Sequence, residues 1–357
     1  MRERPVLKLG RYPATPNSVV HLASQFPNFW RRHGLTAWLL LPLAGLFALL
    51  AGARRWMFAK GWLRSQRVSV PVIVVGNVTV GGSGKTPVVL ALVQALNRAG
   101  WRPGVISRGY GGTVSAPRSV RPDDDPQVVG DEPLLLARRC DCPVWVGPDR
   151  PAVAQALLAA NPECRVLISD DGLQHYRLAR NMELVVLDPA GLGNRFPLPA
   201  GPMREPLGRI KKAQAVIVHG DPAEAGELES LGCKAFRMEL VADRFWRLGN
   251  ERALARASQF ADRRLHALAG IGRPERFFAQ LESMGLVFER HPFPDHHRFT
   301  PDNLTVPPGD VLLMTEKDAV KCEGLTQSEC WVLRVEARIE PDLAAFVLES
   351  LNGSATA

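Results

Sequence analysis

The run Gly76-Asn77-Val78-Thr79-Val80-Gly81-Gly82-Ser83-Gly84-Lys85-Thr86-Pro87 constrains this chain more than any other. It follows a β-branched apolar run at 72–75 and opens an amphipathic segment ending near Gly100. Strand, glycine-rich turn and helix together make a phosphate cradle. Glycines let backbone N–H groups close on phosphate oxygens, and the helix N-terminus adds partial positive charge. In such a loop Lys85 reaches the β/γ-phosphates and the Thr86 hydroxyl sits on Mg²⁺. The expected nucleotide-contacting set is Thr79, Gly81, Gly82, Ser83, Gly84, Lys85 and Thr86. One residue departs from the strict pattern, which wants glycine where Thr79 stands. An ordinary glycine-rich strand-to-helix turn is the competing reading.

From residue 70 onward short apolar runs alternate with helical segments, which predicts a doubly wound α/β domain. Strands are expected at 72–75, 104–107, 144–146, 166–168, 184–187 and 215–218. The helix after the phosphate loop carries Val88, Val89, Leu92, Val93 and Leu96 on one face, with Pro87 in its first turn. Residues 113–128, with three prolines and three consecutive aspartates, read as an exposed loop. The proline-rich stretch 196–206 suits neither helix nor central strand and must be a shaped loop. An extended segment at 234–248 breaks the rhythm. A second, smaller α/β unit then offers strands at 265–268, 287–289, 311–314 and 331–335 and a closing helix over 342–351. The predicted organisation is an N-terminal extension (1–28), an apolar helix with a basic flank (29–68), a phosphate-loop domain (69–232), a linker (233–260) and the second domain with the closing helix (261–357). At 357 residues the chain is long enough for two cores.

Residues 37–53 form an uncharged apolar run, about the shortest length that crosses a bilayer. Trp30, Arg31 and Arg32 precede it, and Arg54, Arg55, Trp56, Lys60, Trp62, Arg64 and Arg67 follow. Basic residues interleaved with interfacial aromatics suit an anionic cytoplasmic leaflet, at roughly 1 kcal/mol per cation. Ala51-Gly52-Ala53 imitates a signal-peptidase site, but the region before it is too long and arginines follow at once. A membrane anchor or interfacial helix is preferred to a buried core helix, and spanning is not separated from lying in the interface. The net charge of +8 favours anionic partners. Nucleic acid is disfavoured, because no recognisable binding module is present. The six cysteines have neither disulfide-framework nor zinc spacing and read as free thiols.

Four further groups carry chemistry. The run 166–172 is an apolar strand ending in Asp170 and Asp171, where phosphate-loop proteins hold Mg²⁺. Gln174 and His175 follow, and ligands bind at the carboxyl ends of such strands. Asp131 and Glu132 precede a helical run and read equally well as first-turn acids. In His291-Pro292-Phe293-Pro294-Asp295-His296-His297, a histidine beside a carboxylate can act as a general base, whereas no HxxxH partner supports zinc. Thr315-Glu316-Lys317-Asp318 has its lysine one place too late for guanine recognition, so a phosphate contact and an exposed turn both stand.

These stretches, with Ser107-Arg108-Gly109-Tyr110, Gly130-Asp131-Glu132-Pro133, Asp170-Asp171-Gly172-Leu173-Gln174-His175 and Leu198–Pro206, resemble the tetraacyldisaccharide 4′-kinase (lipid A 4′-kinase) family. The resemblance runs in order from about Phe29 to Val347, and threonine at the Thr79 position is the family's own variant. The N-terminal stretch, Met1 to about Ser24, is atypical. The resemblance implies a transferase that uses ATP and Mg²⁺ to phosphorylate the 4′-hydroxyl of an acylated glucosamine disaccharide 1-phosphate. It also implies two α/β/α domains joined by a two-stranded linker, a membrane-associated N-terminal helix, and location at the cytoplasmic face of a Gram-negative inner membrane. No obligate protein partner is expected. By residue-to-residue carry-over, Lys85 and Thr86 serve phosphate and metal, with Asp170, Asp171 and Glu205 around the metal. Asp131 and His296 act on the attacking hydroxyl beside Asp295, assembling on domain closure, while Gln174, His175 and Arg204 contact substrate. Arg108, Arg150 and Lys317 are further candidates for the acceptor's 1-phosphate. The rival readings are a membrane-associated phosphate-loop ATPase switching a protein partner, and a non-catalytic nucleotide-binding tether.

Overall fold

The computed structural model describes residues 27–220 and 232–355. The expected extension at 1–28 falls almost wholly outside them. The chain forms two compact units, one from 26–241 with 335–357 and the other Ala242–Arg334. Both are mixed α/β and built on parallel sheet.

The first unit begins with two helices, α1 (Leu35–Leu39) and α2 (Leu41–Ala59), which meet at Leu40. Pro42, at the start of α2, lacks the N–H that would continue α1, so the apolar run is divided between them. Among the described residues no helix is long and apolar enough to cross a membrane. Nor is α2 a core helix. Its only buried residue is Ala44, and Leu43, Leu46, Leu49 and Leu50 are all at least half exposed.

Strands β1 (Val72–Gly76), β2 (Pro103–Ser107), β3 (Arg118–Ser119), β4 (Val144–Val146), β5 (Val166–Asp170), β6 (Met182–Leu187), β7 (Ala215–His219) and β8 (Lys234–Arg247) follow. They lie in the order β8-β7-β6-β1-β5-β2-β4-β3, parallel except for β3. Every residue of β1, β2, β5 and β6 is buried. A strand covered on both faces reads as a continuous apolar run, and that is the pattern in the sequence. Helix α3 (Lys85–Arg98) buries Val88, Val89, Leu92, Val93 and Leu96, the face its spacing predicts. The loop 113–128 holds β3 and the short α4 (Pro126–Val129), followed by α5 (Asp131–Arg139) and α6 (Arg150–Ala160).

In the second unit β9 (Asn250–Ala255) folds back antiparallel on the end of β8. Strands β10 (Leu265–Ala269), β11 (Phe288–Pro292), β12 (Val311–Thr315) and β13 (Glu329–Glu340) lie parallel in the order β11-β10-β12-β13. Helices α7 (Pro274–Ser283) and α8 (Glu316–Cys322) accompany them. The core is Leu268, Phe299, Leu312, Met314, Ala319 and Val332. Strand β11 starts later than the expected 287–289, because Val287 is 88% exposed and outside the ladder.

The closing helix departs from expectation. The chain leaves the first unit within β8 and returns within β13. Helix α9 (Leu343–Ala355) therefore packs on α3, with Phe346 against Phe236 at 5.6 Å and under the Lys234 ammonium at 4.6 Å. Sequence proximity assigns it to the second domain, but its apolar face is buried in the first. All six cysteines are free.

Candidate active site

The phosphate loop leaves β1 at Gly76 and enters α3 at Lys85. Gly84 caps the helix at φ +88°, a left-handed conformation that disfavours any side chain, and a Cβ there would meet Met238 Cε at 2.8 Å. Asn77, Thr79 and Ser83 are buried. The Asn77 amide donates to the Gly81 carbonyl at 3.3 Å, closing the loop on itself. Lys85 opens α3 and Thr86 is its second residue.

The proline-shaped loop is zipped along the phosphate loop. The Val80 N–H donates to Pro202 O at 2.9 Å, the Arg204 N–H to Val78 O at 2.8 Å, and Thr79 bridges antiparallel to Met203. This pairing gives Thr79 a structural role, holding the two loops in register. It also delivers Arg204 and Glu205 to the site. A third segment arrives after β5, where the Gln174 amide donates to Asn77 O at 3.2 Å.

The carboxylate pair divides in character. Asp171, at φ +48°, has one oxygen 3.5 Å from Lys85 Nζ and the other 3.1 Å from Arg204 Nη1. Burial opposes its ionisation, but the Lys85 and Arg204 cations outweigh it and hold the carboxyl well below the usual range. Asp170 is buried at the end of β5, where Oδ2 accepts from Ser107 Oγ at 3.3 Å and Oδ1 has no hydrogen-bond partner. Burial, with the Glu132 and Asp171 charges added, pushes its carboxyl up to about 7. Arg150 is also buried and donates to the Asp170 carbonyl at 2.6 Å. Burial lowers its guanidinium to about 10, with Asp170 and Asp171 opposing the shift. His175 is drawn down to about 4 by burial and then by Arg150 and Arg108.

Glu205 is placed differently from its expected setting. Its carboxylate accepts from the Arg55 guanidinium and from the Tyr176 hydroxyl, the latter at 2.9 Å. Arg55 belongs to the basic flank read as membrane-facing, yet it points inward. Phe58 meets Tyr176 at 5.8 Å. At the other end of this region the Trp30 indole donates to Pro199 O at 2.8 Å, and Trp38 packs on Phe196. The N-terminal helices are thus tied to the loop that borders the phosphate cradle.

Asp131 is buried in the first turn of α5, after Gly130 at φ +91°. Its Oδ1 accepts from the Glu132 N–H at 3.0 Å. In the second unit, Asp295 lies 3.6 Å from His296 Nε2 and accepts from Lys317 Nζ at 3.1 Å. His296 takes the left-handed φ of +57°. The Thr-Glu-Lys-Asp stretch thereby acquires a task beyond an exposed turn. Thr315 caps α8 by accepting from the Asp318 N–H, Asp318 fixes the Gly270 N–H at 3.0 Å, and Lys317 holds the carboxylate beside His296.

Sequence reasoning named Ser107 only within a motif and Arg55 only within the basic flank, assigning neither a place in the site, and missed Tyr176. Ser107 ends a strand next to an Asp-terminated strand, a signal legible once the strand order is known. No local signal marks the contacts of Tyr176 and Arg55.

The sequence model of the tetraacyldisaccharide-1-P 4′-kinase family, LpxK, matches residues 36–352. A tetraacyldisaccharide 4′-kinase of Azoarcus sp. (strain BH72) is 54% identical over 327 residues, 91% of this chain and 95% of its own. One from Dechloromonas aromatica (strain RCB) is 50% identical over 324 residues, 90% of this chain and 95% of its own. Among solved structures, the "apo" form of LpxK from Aquifex aeolicus in complex with ATP superposes with a TM-score of 0.76 at 28% identity, covering 89% of this chain and all of that one. A phosphate loop with its carboxylate pair is common to many nucleotide-binding proteins, but a match that runs from α1 through α9 is not, and it leaves the switch-ATPase reading without support: the chain belongs to the tetraacyldisaccharide-1-P 4′-kinase family.

Proposed function

We propose that the protein transfers the γ-phosphoryl group of ATP to the 4′-hydroxyl of an acylated glucosamine disaccharide 1-phosphate, giving the bis-phosphorylated lipid A precursor. The observation that carries this is the Lys85–Asp171–Arg204 cluster at the mouth of the phosphate loop, in a chain matched almost end to end by the family. Phosphoryl transfer needs positioning and charge neutralisation more than covalent chemistry. Loop N–H groups and Lys85 bind the β/γ-phosphates, and Arg204 adds a second cation at the other oxygen of Asp171. The phosphoryl group leaves ADP as the acceptor oxygen attaches, and the hydroxyl proton passes to a protein base.

The donor set fits Mg²⁺. Thr86, Asp170 and Asp171 are hard oxygen ligands, and the buried Asp170 Oδ1 is without a hydrogen bond. Glu205 joins them only by releasing Arg55 and Tyr176. When bound, the ion neutralises charge on the phosphate oxygens. We propose His296, oriented by Asp295, and Asp131 as the groups acting on the acceptor hydroxyl, a contribution of about 10²–10⁴-fold for a positioned base. Asp131→Asn and His296→Ala should each lower transfer by that order. If both retain wild-type rates while Lys85→Ala is inactive, the assignment is wrong.

The exposed leucines of α1 and α2 and the surrounding cations support seating in an anionic leaflet, at the cytoplasmic face of the inner membrane. The helices would lie in the interface and present the site to an acceptor that is itself a lipid. A direct test is ATP turnover by the full chain with and without the acylated disaccharide in mixed micelles. Turnover that depends on the acceptor supports the kinase, whereas turnover indifferent to it removes this reading.

A further inference from the structure

Strands β10 and β11 of the second unit carry three metal-capable side chains on one face. Glu289 and His291 are two apart on β11 and therefore point the same way. The parallel register sets His266 opposite Glu289, which adds a third group to that face. Ligand atoms of His266, Glu289 and His291 lie within 4.8 Å of one another. His266 Nδ1 is 3.1 Å from His291 Nε2 and 3.8 Å from Glu289 Oε2. Two ligand nitrogens on a tetrahedral Zn²⁺ are about 3.3 Å apart, from Zn–N bonds of about 2.05 Å. The glutamate side chain is 70% exposed, so closing its gap displaces nothing packed.

The other nitrogen of His266 is also accounted for. Its Nε2 lies 3.1 Å from Asp310 Oδ2, and the Asp310 side chain is largely buried. An ionised carboxylate only accepts, so Asp310 places the His266 proton on Nε2 and leaves Nδ1 as a lone pair facing His291. A carboxylate behind a ligating histidine is the usual means of fixing tautomer and ring orientation at metal sites. Two imidazole nitrogens at 3.1 Å must share a proton or a cation.

We infer that His266 Nδ1, His291 Nε2 and Glu289 form a three-ligand site for a divalent transition metal of the Zn²⁺ class, with Asp310 behind His266. A fourth position is left to solvent. Three nitrogen and oxygen ligands suit Zn²⁺, Co²⁺ or Ni²⁺ better than Mg²⁺, which prefers oxygen. The site uses none of the groups assigned to phosphoryl transfer and stands apart from that reading. It also explains why the sequence gives no zinc spacing: the partner of His291 lies across a strand register, 25 residues back.

The test is titration of the full chain, stripped with a chelator, with Co²⁺ alone in excess Mg²⁺, which keeps the phosphate-loop carboxylates occupied. The expected result is visible d–d absorption of a low-symmetry site, saturating at one equivalent and displaced by Zn²⁺. His291→Ala and Glu289→Gln lie on the edge strand and should weaken binding at least about tenfold, and Asp310→Asn by about 10–100-fold. Kinase activity of His291→Ala should match wild type, confirming that the variant is folded. Absence of a one-equivalent band, or wild-type affinity in the variants, would overturn the site and leave the pair as an N–H···N hydrogen bond.

Discussion

Lys85 Nζ lies 3.5 Å from Asp171 Oδ1, and the second oxygen of that carboxylate lies 3.1 Å from Arg204. One acid thus spaces two cations, one from the phosphate loop and one from the proline-shaped loop. Asp171→Asn keeps the shape and removes the charge. It should lower kcat by about 10²–10³, the usual loss when a preorganised electrostatic contact is removed, as read by steady-state kinetics at saturating ATP. Wild-type kcat in this variant would contradict the role.

The Tyr176 hydroxyl donates to the buried Glu205 carboxylate, whose other partner is Arg55. Tyr176→Phe should destabilise the protein by about 1.5–3 kcal/mol, the range for a hydrogen bond to a charged group. Urea unfolding should show a lower midpoint with an unchanged slope. An unchanged midpoint would mean that Arg55 alone satisfies Glu205.

Replacing Leu43, Leu46, Leu49 and Leu50 together with serine removes apolar groups that are already in water. Solution stability should barely move, whereas sedimentation with anionic phospholipid vesicles should fall by more than tenfold. Each leucine contributes about 1.5–3 kcal/mol when it leaves water. Vesicle binding equal to wild type would remove α2 from the membrane interface.

The imidazole of His175 is lowered to about 4 in the folded chain, against an ordinary value of 6.5, because burial and the Arg150, Arg108 and Arg180 cations oppose its charge. The unfolded chain therefore binds the proton first as pH falls. The neutral form's contribution is intact above about pH 6.5 and is lost progressively between 6.5 and 4. His175→Gln should unfold with a shallower loss of stability between pH 7 and 5 than wild type. Parallel pH profiles for the two proteins would contradict this.

Much of this architecture is legible in the sequence for a physical reason. β1, β5 and β6 are buried on both faces, so they read as largely apolar runs, with Ser169, Asp170 and Glu183 the polar exceptions, and the glycine-rich turn after β1 admits few conformations. Strand β3 escaped notice because it is two residues long and exposed, and β9, within the expected linker, because it is mostly exposed and opens on Asn250-Glu251-Arg252. The place of α9 depends on β13 returning to the first unit, a fact of topology that local pattern does not carry. Site residues divide the same way. Lys85 opens the helix after the glycine-rich loop and the Asp170–Asp171 pair sits at a strand end, both marked by local pattern. Arg55 and Glu205 meet across 150 residues, and His266 finds His291 only through strand register.

The most direct measurement of the central claim is transfer of label from γ-labelled ATP to purified acylated disaccharide 1-phosphate, with wild type and Lys85→Ala side by side in Mg²⁺. The account predicts a labelled lipid with the new phosphate on the 4′-oxygen by mass spectrometry, formed by wild type and reduced to background in Lys85→Ala. Wild type that hydrolyses ATP without labelling the lipid, or a Lys85→Ala variant that labels it as fast, would contradict it.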